Sequence, residues 1–263
     1  PQVFARNKGG RVSYPHLFEH SPGELWITTM QGSLRASLKE ADFLKDWTKV
    51  VAFGDSTTAP RGDLPIYADL LQKELPGKGV DAWVLNAGVG GNSTEDARKR
   101  FERDVLDHKP QVVIIQFGVN DSAIDVWKDP PATAPRVALA RYRENLEYFV
   151  DALQKQTARV ILMTPNPIRW TEKTKEMYGK PPYDAGDPNG FCLLLRDYAE
   201  TVRQVAAAKQ AGLIDLYARY EVYDEQEGRS MDDLLLDGMH PNERGHRLAA
   251  DLLLAQIAAP VGG

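Results

Sequence analysis

From Lys49 onward the chain alternates short apolar runs with segments of helical periodicity, and few folds accommodate that alternation. The runs are residues 50–53, 83–85, 112–117, 160–163 and 213–216, and the amphipathic segments are 66–75, 95–106, 138–153, 193–208 and 243–257. In the third of these segments Tyr142, Leu146, Phe149, Val150 and Leu153 keep to one face at helical spacing. Strands of this kind, each followed by a helix, read as consecutive βαβ units, hence a central parallel sheet covered on both sides.

In such sheets a site forms outside the carboxyl ends of the strands. Run 50–53 leads into Gly54-Asp55-Ser56, run 83–85 into Asn86-Ala87-Gly88-Val89-Gly90-Gly91, and run 112–117 into Gly118-Val119-Asn120-Asp121. Three strand ends thus converge on one rim. The first 45 residues follow another rule: residues 25–30, a Gln31-Gly32 turn and the alternating Leu34, Ala36 and Leu38 predict a β-hairpin outside the α/β core. The expected organisation is an amino-terminal hairpin extension over 1–45 and a main domain over 46–263. Residues 165–190, with five prolines and the aromatics Trp170, Tyr178 and Tyr183, read as a long irregular loop.

Composition narrows the function. A formal charge of -5 gives no broad basic field, which argues against a nucleic-acid partner. The longest apolar stretches, such as 112–115 and 234–236, fall far short of the roughly 20 residues of a membrane span, so a soluble protein without a membrane partner is expected. No charged-then-apolar leader is visible, and the compartment stays open, with a secreted or periplasmic location favoured over a cytoplasmic one. Cys192 is the sole cysteine, which rules out an internal disulfide and a cysteine-cluster metal site and leaves it a packing role.

The chemistry is carried by a serine. A hydroxyl is a poor nucleophile at neutral pH and needs a base to take its proton and donors to hold the oxyanion that follows. Ser56 stands just past a strand end, and Asp237-Gly238-Met239-His240 supplies the base: one turn brings Asp237 onto one ring nitrogen of His240 while the other faces Ser56. The candidate oxyanion donors are the N–H groups of Ser56 and Gly91 and the side-chain amide of Asn120. Alone each motif is weak, since roughly one random chain in fifteen of this length holds Gly-Asp-Ser and one in three holds Asp-x-x-His. Their occurrence together, in this order and each at a strand end or in a terminal loop, is what carries weight.

On these four blocks, Gly54-Asp55-Ser56, residues 86–91, Gly118-Val119-Asn120-Asp121 and residues 237–240, the chain resembles the SGNH (GDSL-like) hydrolase family over about residues 49–258. The resemblance implies a flavodoxin-like three-layer α/β/α fold and ester hydrolysis through an acyl-enzyme without metal or organic cofactor. It assigns the nucleophile to Ser56, the acid and base to Asp237 and His240, and the oxyanion donors to Ser56, Gly91 and Asn120. Gly88, Gly90 and Gly91 each align with the family's glycine; Gly91 is chosen because it directly precedes the helix start at Asn92-Ser93-Thr94. A second resemblance, of residues 11–15 and 23–32 to the closing segment of a sialidase-like β-propeller, implies a longer multidomain protein acting on carbohydrate.

Other signals are set aside. Residues 88–91 are not a dinucleotide fingerprint, and Thr58 stands where a G-x-S-x-G elbow needs glycine. His16, His20, His108 and His246 lack metal-ligand spacing. Asp55 and Asp121 are expected to hold turns, while Asp55, Trp170 and Tyr183 are also entertained as substrate contacts. The expected function is a serine esterase acting on short acyl esters, acetyl above all, of a small-molecule or carbohydrate substrate. A lipolytic or aryl esterase or thioesterase is the alternative, and an idle carbohydrate-binding module the rival of another class.

Overall fold

Successive residues of the first apolar run face opposite ways: Val50 and Ala52 pack into one hydrophobic cluster and Val51 and Phe53 into another, all four fully buried. A strand dry on both faces belongs in a parallel sheet between two helical layers. The computed structural model describes residues 13–21, 23–31, 35–39 and 47–259. The chain divides into two units, Pro1–Trp47 and Thr48–Gly263.

In the first unit β1 (Ser13–Ser21), β2 (Glu24–Gln31) and β3 (Arg35–Lys39) form an antiparallel sheet in that order. The expected hairpin is β2–β3, pairing Leu25 with Leu38 and Ile27 with Ala36; its turn at Gly32 lies outside the described residues. Strand β1 is an addition to the two expected strands. Pro15 and the mixed His16, Phe18 and His20 disguise it in the sequence, and an edge position is where a strand tolerates proline.

In the second unit β4 (Thr48–Gly54), β5 (Ala82–Gly88), β6 (Val112–Gln116), β7 (Arg159–Met163) and β8 (Gly212–Ile214) form a parallel sheet in the order β5-β4-β6-β7-β8. Helices α1 (Tyr67–Glu74), α6 (Leu216–Asp224) and α7 (Glu243–Ala258) bury Leu71, Tyr220 and Leu253 against one face. Helices α2 (Thr94–Asp104), α3 (Leu139–Lys155) and α5 (Leu195–Ala208) bury Phe101, Phe149 and Val202 against the other. There Phe53 meets Phe117, Phe149 and Phe101 at ring separations of 5.1, 5.5 and 5.6 Å, the range of favourable aromatic packing.

The chain leaves β4 for β5 on one side and then returns past β4 to β6 on the other. This reversal opens a crevice outside the carboxyl ends of β4 and β6, the place where α/β sheets bind ligands. Two expectations are corrected. Leu216 does not end a strand but opens α6, because Asp215 accepts a hydrogen bond from Ala218 N and caps the helix. The stretch 165–190 is not wholly irregular: α4 (Glu172–Tyr178) lies within it, started by a reciprocal Thr171–Thr174 cap.

Candidate active site

The turn after β4 is built around Asp55. Its Oδ1 accepts from Thr57 N at 2.8 Å, and Ala59 N donates to the Asp55 carbonyl at 3.0 Å. Asp55 is buried, and burial pushes its carboxyl pKa up. It therefore holds the turn and does not line the cavity beside Ser56, contrary to its reading as a substrate contact. Asn86 ties the neighbouring strand end to this turn, donating from Nδ2 to Thr58 O at 2.7 Å while Oδ1 accepts from Gly88 N at 2.8 Å.

Ser56 Oγ, half-buried at the end of this construction, lies 2.9 Å from His240 Nε2. On the far side of the ring, His240 Nδ1 is 2.8 and 3.0 Å from the two Asp237 oxygens. Asp237 Oδ1 also accepts from the backbone N–H groups of His240 at 2.9 Å and Met239 at 3.1 Å. Burial on its own would raise the Asp237 carboxyl, but the His240 side chain and these backbone donors outweigh it and hold the group well below the usual carboxylate range. The acid is thus ionised wherever the ring can use it.

The Asp237–His240 loop is fastened from outside. Gly238 adopts φ +82, and its carbonyl accepts from Arg169 N at 2.6 Å. A side chain there would meet the Arg169 carbonyl at 2.6 Å, so glycine is required on both counts. Buried Asn166 donates to Met239 O at 2.9 Å.

The three candidate oxyanion donors border the same space. Gly91 has φ +77 and, with Asn120 and Ser56, lines the cavity. Among the described residues neither the Ser56 nor the Gly91 N–H has a hydrogen-bond acceptor. Asn120 Nδ2 donates to Asn92 O at 3.2 Å, and Asn120 Oδ1 accepts from Arg136 at 3.1 Å, which fixes the amide's orientation. The competing glycines differ. A side chain on Gly88 would come within 2.4 Å of Ala59 N, whereas one on Gly91 would meet nothing within 4 Å. Gly88 is thus a close-packing glycine; Gly90 would meet only Ser56 Cβ, at 3.8 Å, and of these two uncrowded glycines Gly91 is the one that lines the cavity.

Two further residues, Arg100 outside the motifs and Asp121 within them, bind these loops together. Arg100, its side chain 10% exposed, donates to Gly54 O at 2.9 Å, Ala87 O at 2.7 Å, Asn92 Oδ1 at 2.7 Å and Asp104 at 3.0 Å. One guanidinium thereby holds the ends of β4 and β5 and the segment carrying Gly91. Its place three residues from Ala97 and beside Phe101, on the inward face of α2, is the sequence signal that could have revealed it. Asp121 Oδ1 accepts from Thr94 N at 2.8 Å and Thr94 Oγ1 at 2.5 Å, joining the end of β6 to the start of α2.

The cavity at Ser56 measures about 720 Å³. Its apolar wall includes Ile168, Met177, Tyr178, Tyr183, Phe191 and Leu195, and Arg61, Arg136 and Lys173 also line it. Tyr183 is part of this wall, with its hydroxyl accepting from Ile124 N at 2.7 Å. Trp170 is not: it stacks on Phe191 at 4.5 Å and donates to the carbonyls of Asp184 and Asp187, anchoring the loop behind the wall. The three cations carried no local signal in the sequence, being single charges in loops and on a short helix.

Comparison with known proteins identifies the family. Residues 52–248 match the family model of the GDSL-like Lipase/Acylhydrolase family. The chain is 33% identical over 222 residues to the uncharacterized lipoprotein YqeF of Bacillus subtilis, a match spanning 78% of this chain and 87% of that protein. It is 29% identical over 192 residues to an acetylxylan esterase of Geobacillus stearothermophilus, spanning 72% and 77%. A solved lipase/acylhydrolase from Enterococcus faecalis superposes with a TM-score of 0.63 at 29% identity, covering 82% of this chain and all of that one. The chain belongs to the GDSL-like lipase/acylhydrolase family and is a carboxylic ester hydrolase.

Proposed function

We propose that this protein is a serine esterase that removes short acyl groups, acetyl in particular, from carbohydrate, through an acyl-enzyme on Ser56. The observation that carries the reading is the aligned Ser56–His240–Asp237 chain, with contacts of 2.9 and 2.8 Å, opening on a cavity bordered by Gly91 and Asn120. Ser56 Oγ attacks the acyl carbon as its proton passes to His240 Nε2, while Asp237 holds Nδ1 and the imidazolium that forms. The oxyanion accepts from the N–H groups of Ser56 and Gly91 and from Asn120. Collapse expels the alcohol, which takes the proton from His240; water then enters by the same base and releases the acid.

The carbohydrate assignment draws support from the acetylxylan esterase relatives. A serine and a histidine variant of the Geobacillus enzyme are described as catalytic mutants, in keeping with the roles given to Ser56 and His240. An extracytoplasmic location is part of the proposal, since one relative is named a lipoprotein; no helix among the described residues is long and apolar enough to cross a membrane.

The test is hydrolysis of p-nitrophenyl acetate and butyrate by the wild type beside Ser56→Ala. Loss of several orders of magnitude is expected in the variant, and equal rates would refute the mechanism. The apolar wall of the cavity favours a second reading, an esterase for longer or aromatic acyl groups. A rate that falls steeply beyond about four acyl carbons supports the acetyl reading; a sustained rate supports the second.

A further inference from the structure

The cavity at Ser56 is cationic in a chain whose net charge is -5. Arg61, Arg136 and Lys173 line it, and Asp237 is the one carboxylate there, already bound by His240. Arg136 is answered within the protein by buried Asp125, which accepts from Nε and Nη2 at 3.1 and 2.8 Å. Arg61 and Lys173 differ: neither side chain has a hydrogen-bond or ion-pair partner among the described residues, although Arg61 is half-buried.

A half-buried guanidinium has lost part of its hydration, and proteins ordinarily compensate that loss with a carboxylate. Arg61 stands five residues after Ser56, in the turn closed by the Arg61–Leu64 bridge. It is therefore carried by the same segment as the nucleophile. A guanidinium presents paired donors that match a carboxylate in two parallel hydrogen bonds, whereas the ammonium of Lys173, on exposed α4, acts as a point charge.

We infer that the alcohol half of the ester carries a carboxylate, making the substrate an acylated acidic sugar, and that Arg61 is the residue that binds this group, with Lys173 adding to the field. The inference rests on the esterase reading above. The carboxylate supplies the partner that Arg61 lacks, while the apolar wall takes the uncharged remainder of the substrate.

The test compares kcat/KM on O-acetyl glucuronic acid and O-acetyl glucose, in wild type, Arg61→Gln and Arg61→Lys. The wild type is expected to favour the acidic ester by on the order of 10- to 100-fold, the range of a charge-assisted contact. Arg61→Gln should lose that preference, mainly through KM, and Arg61→Lys should regain part of it. Free glucuronate should also inhibit wild-type p-nitrophenyl acetate hydrolysis more strongly than glucose does, and less so at high salt. A wild type indifferent to the carboxylate, or an Arg61→Gln variant that keeps the preference, would overturn the inference. Failure of the esterase reading is separately visible, as equal p-nitrophenyl acetate rates for wild type and Ser56→Ala.

Discussion

Gly88→Ala adds one methyl group at the end of β5 and tests whether strand packing sets the position of the nucleophile. Gly88 does not require positive φ, so alanine is acceptable to its own backbone. The conflict is with a neighbour: the new Cβ would stand 2.4 Å from Ala59 N and 2.7 Å from Ala59 Cα and Thr58 C, where ordinary contact begins at 3.4 Å. The obstacle is backbone and cannot rotate aside, so the two segments must part by about 1 Å. Thr58 and Ala59 close the turn that carries Ser56. A misplacement of about 1 Å costs on the order of 10²-fold in rate, and overpacking costs about 1–3 kcal/mol in stability. Both are measurable, by kcat/KM on p-nitrophenyl acetate and by urea unfolding. Gly77→Ala is the control, in open space without positive φ, and should leave both unchanged. Wild-type activity and stability in Gly88→Ala would refute the argument that this contact positions the turn.

Asn120→Ala should lower kcat by about 10²- to 10³-fold, as expected for the loss of one oxyanion donor; an unchanged kcat would remove Asn120 from that role. Burial pushes the Asp121 carboxyl up to about 7, with its Oδ2 unpartnered among the described residues. A carboxyl whose folded pKa exceeds its unfolded value of about 3.9 stabilises most below that value and loses its contribution as pH rises toward the folded one. Asp121→Asn, which keeps an oxygen for Thr94, should therefore fold and gain stability relative to the wild type as pH rises from about 4 to about 7. Parallel urea-midpoint profiles for the two proteins across that window would contradict this.

The central sheet was legible because its three inner strands, β4, β6 and β7, are buried on both faces and so leave uninterrupted apolar runs. Strand β1 was not, since its residues answer to their single partner strand, β2, and to no periodicity of their own. Helix α4 was hidden by the prolines around it, and α6 by the apolar Leu213 to Leu216 sequence, in which the capping Asp215 was passed over. At the site, Ser56, Asp237 and His240 could be named because their spacing encodes one turn and one strand end. Separating Gly88 from Gly91 required knowing what each backbone approaches, and recognising Arg61 and Arg136 required knowing which loops meet at one cavity.

The serine and its base are held by different parts of the molecule. Ser56 grows from the central sheet, whereas the His240 loop is fastened by Arg169 and Asn166, in a segment whose Ile168 packs with Tyr183 and Phe191 in a third hydrophobic cluster outside the two main ones. Small peripheral clusters open at lower free energy than a central sheet. The first event expected on warming is then a separation of base from nucleophile while the strands stay paired. Loss of turnover would run ahead of loss of the far-ultraviolet signal, and an engineer seeking heat tolerance would reinforce the outer cluster rather than the core.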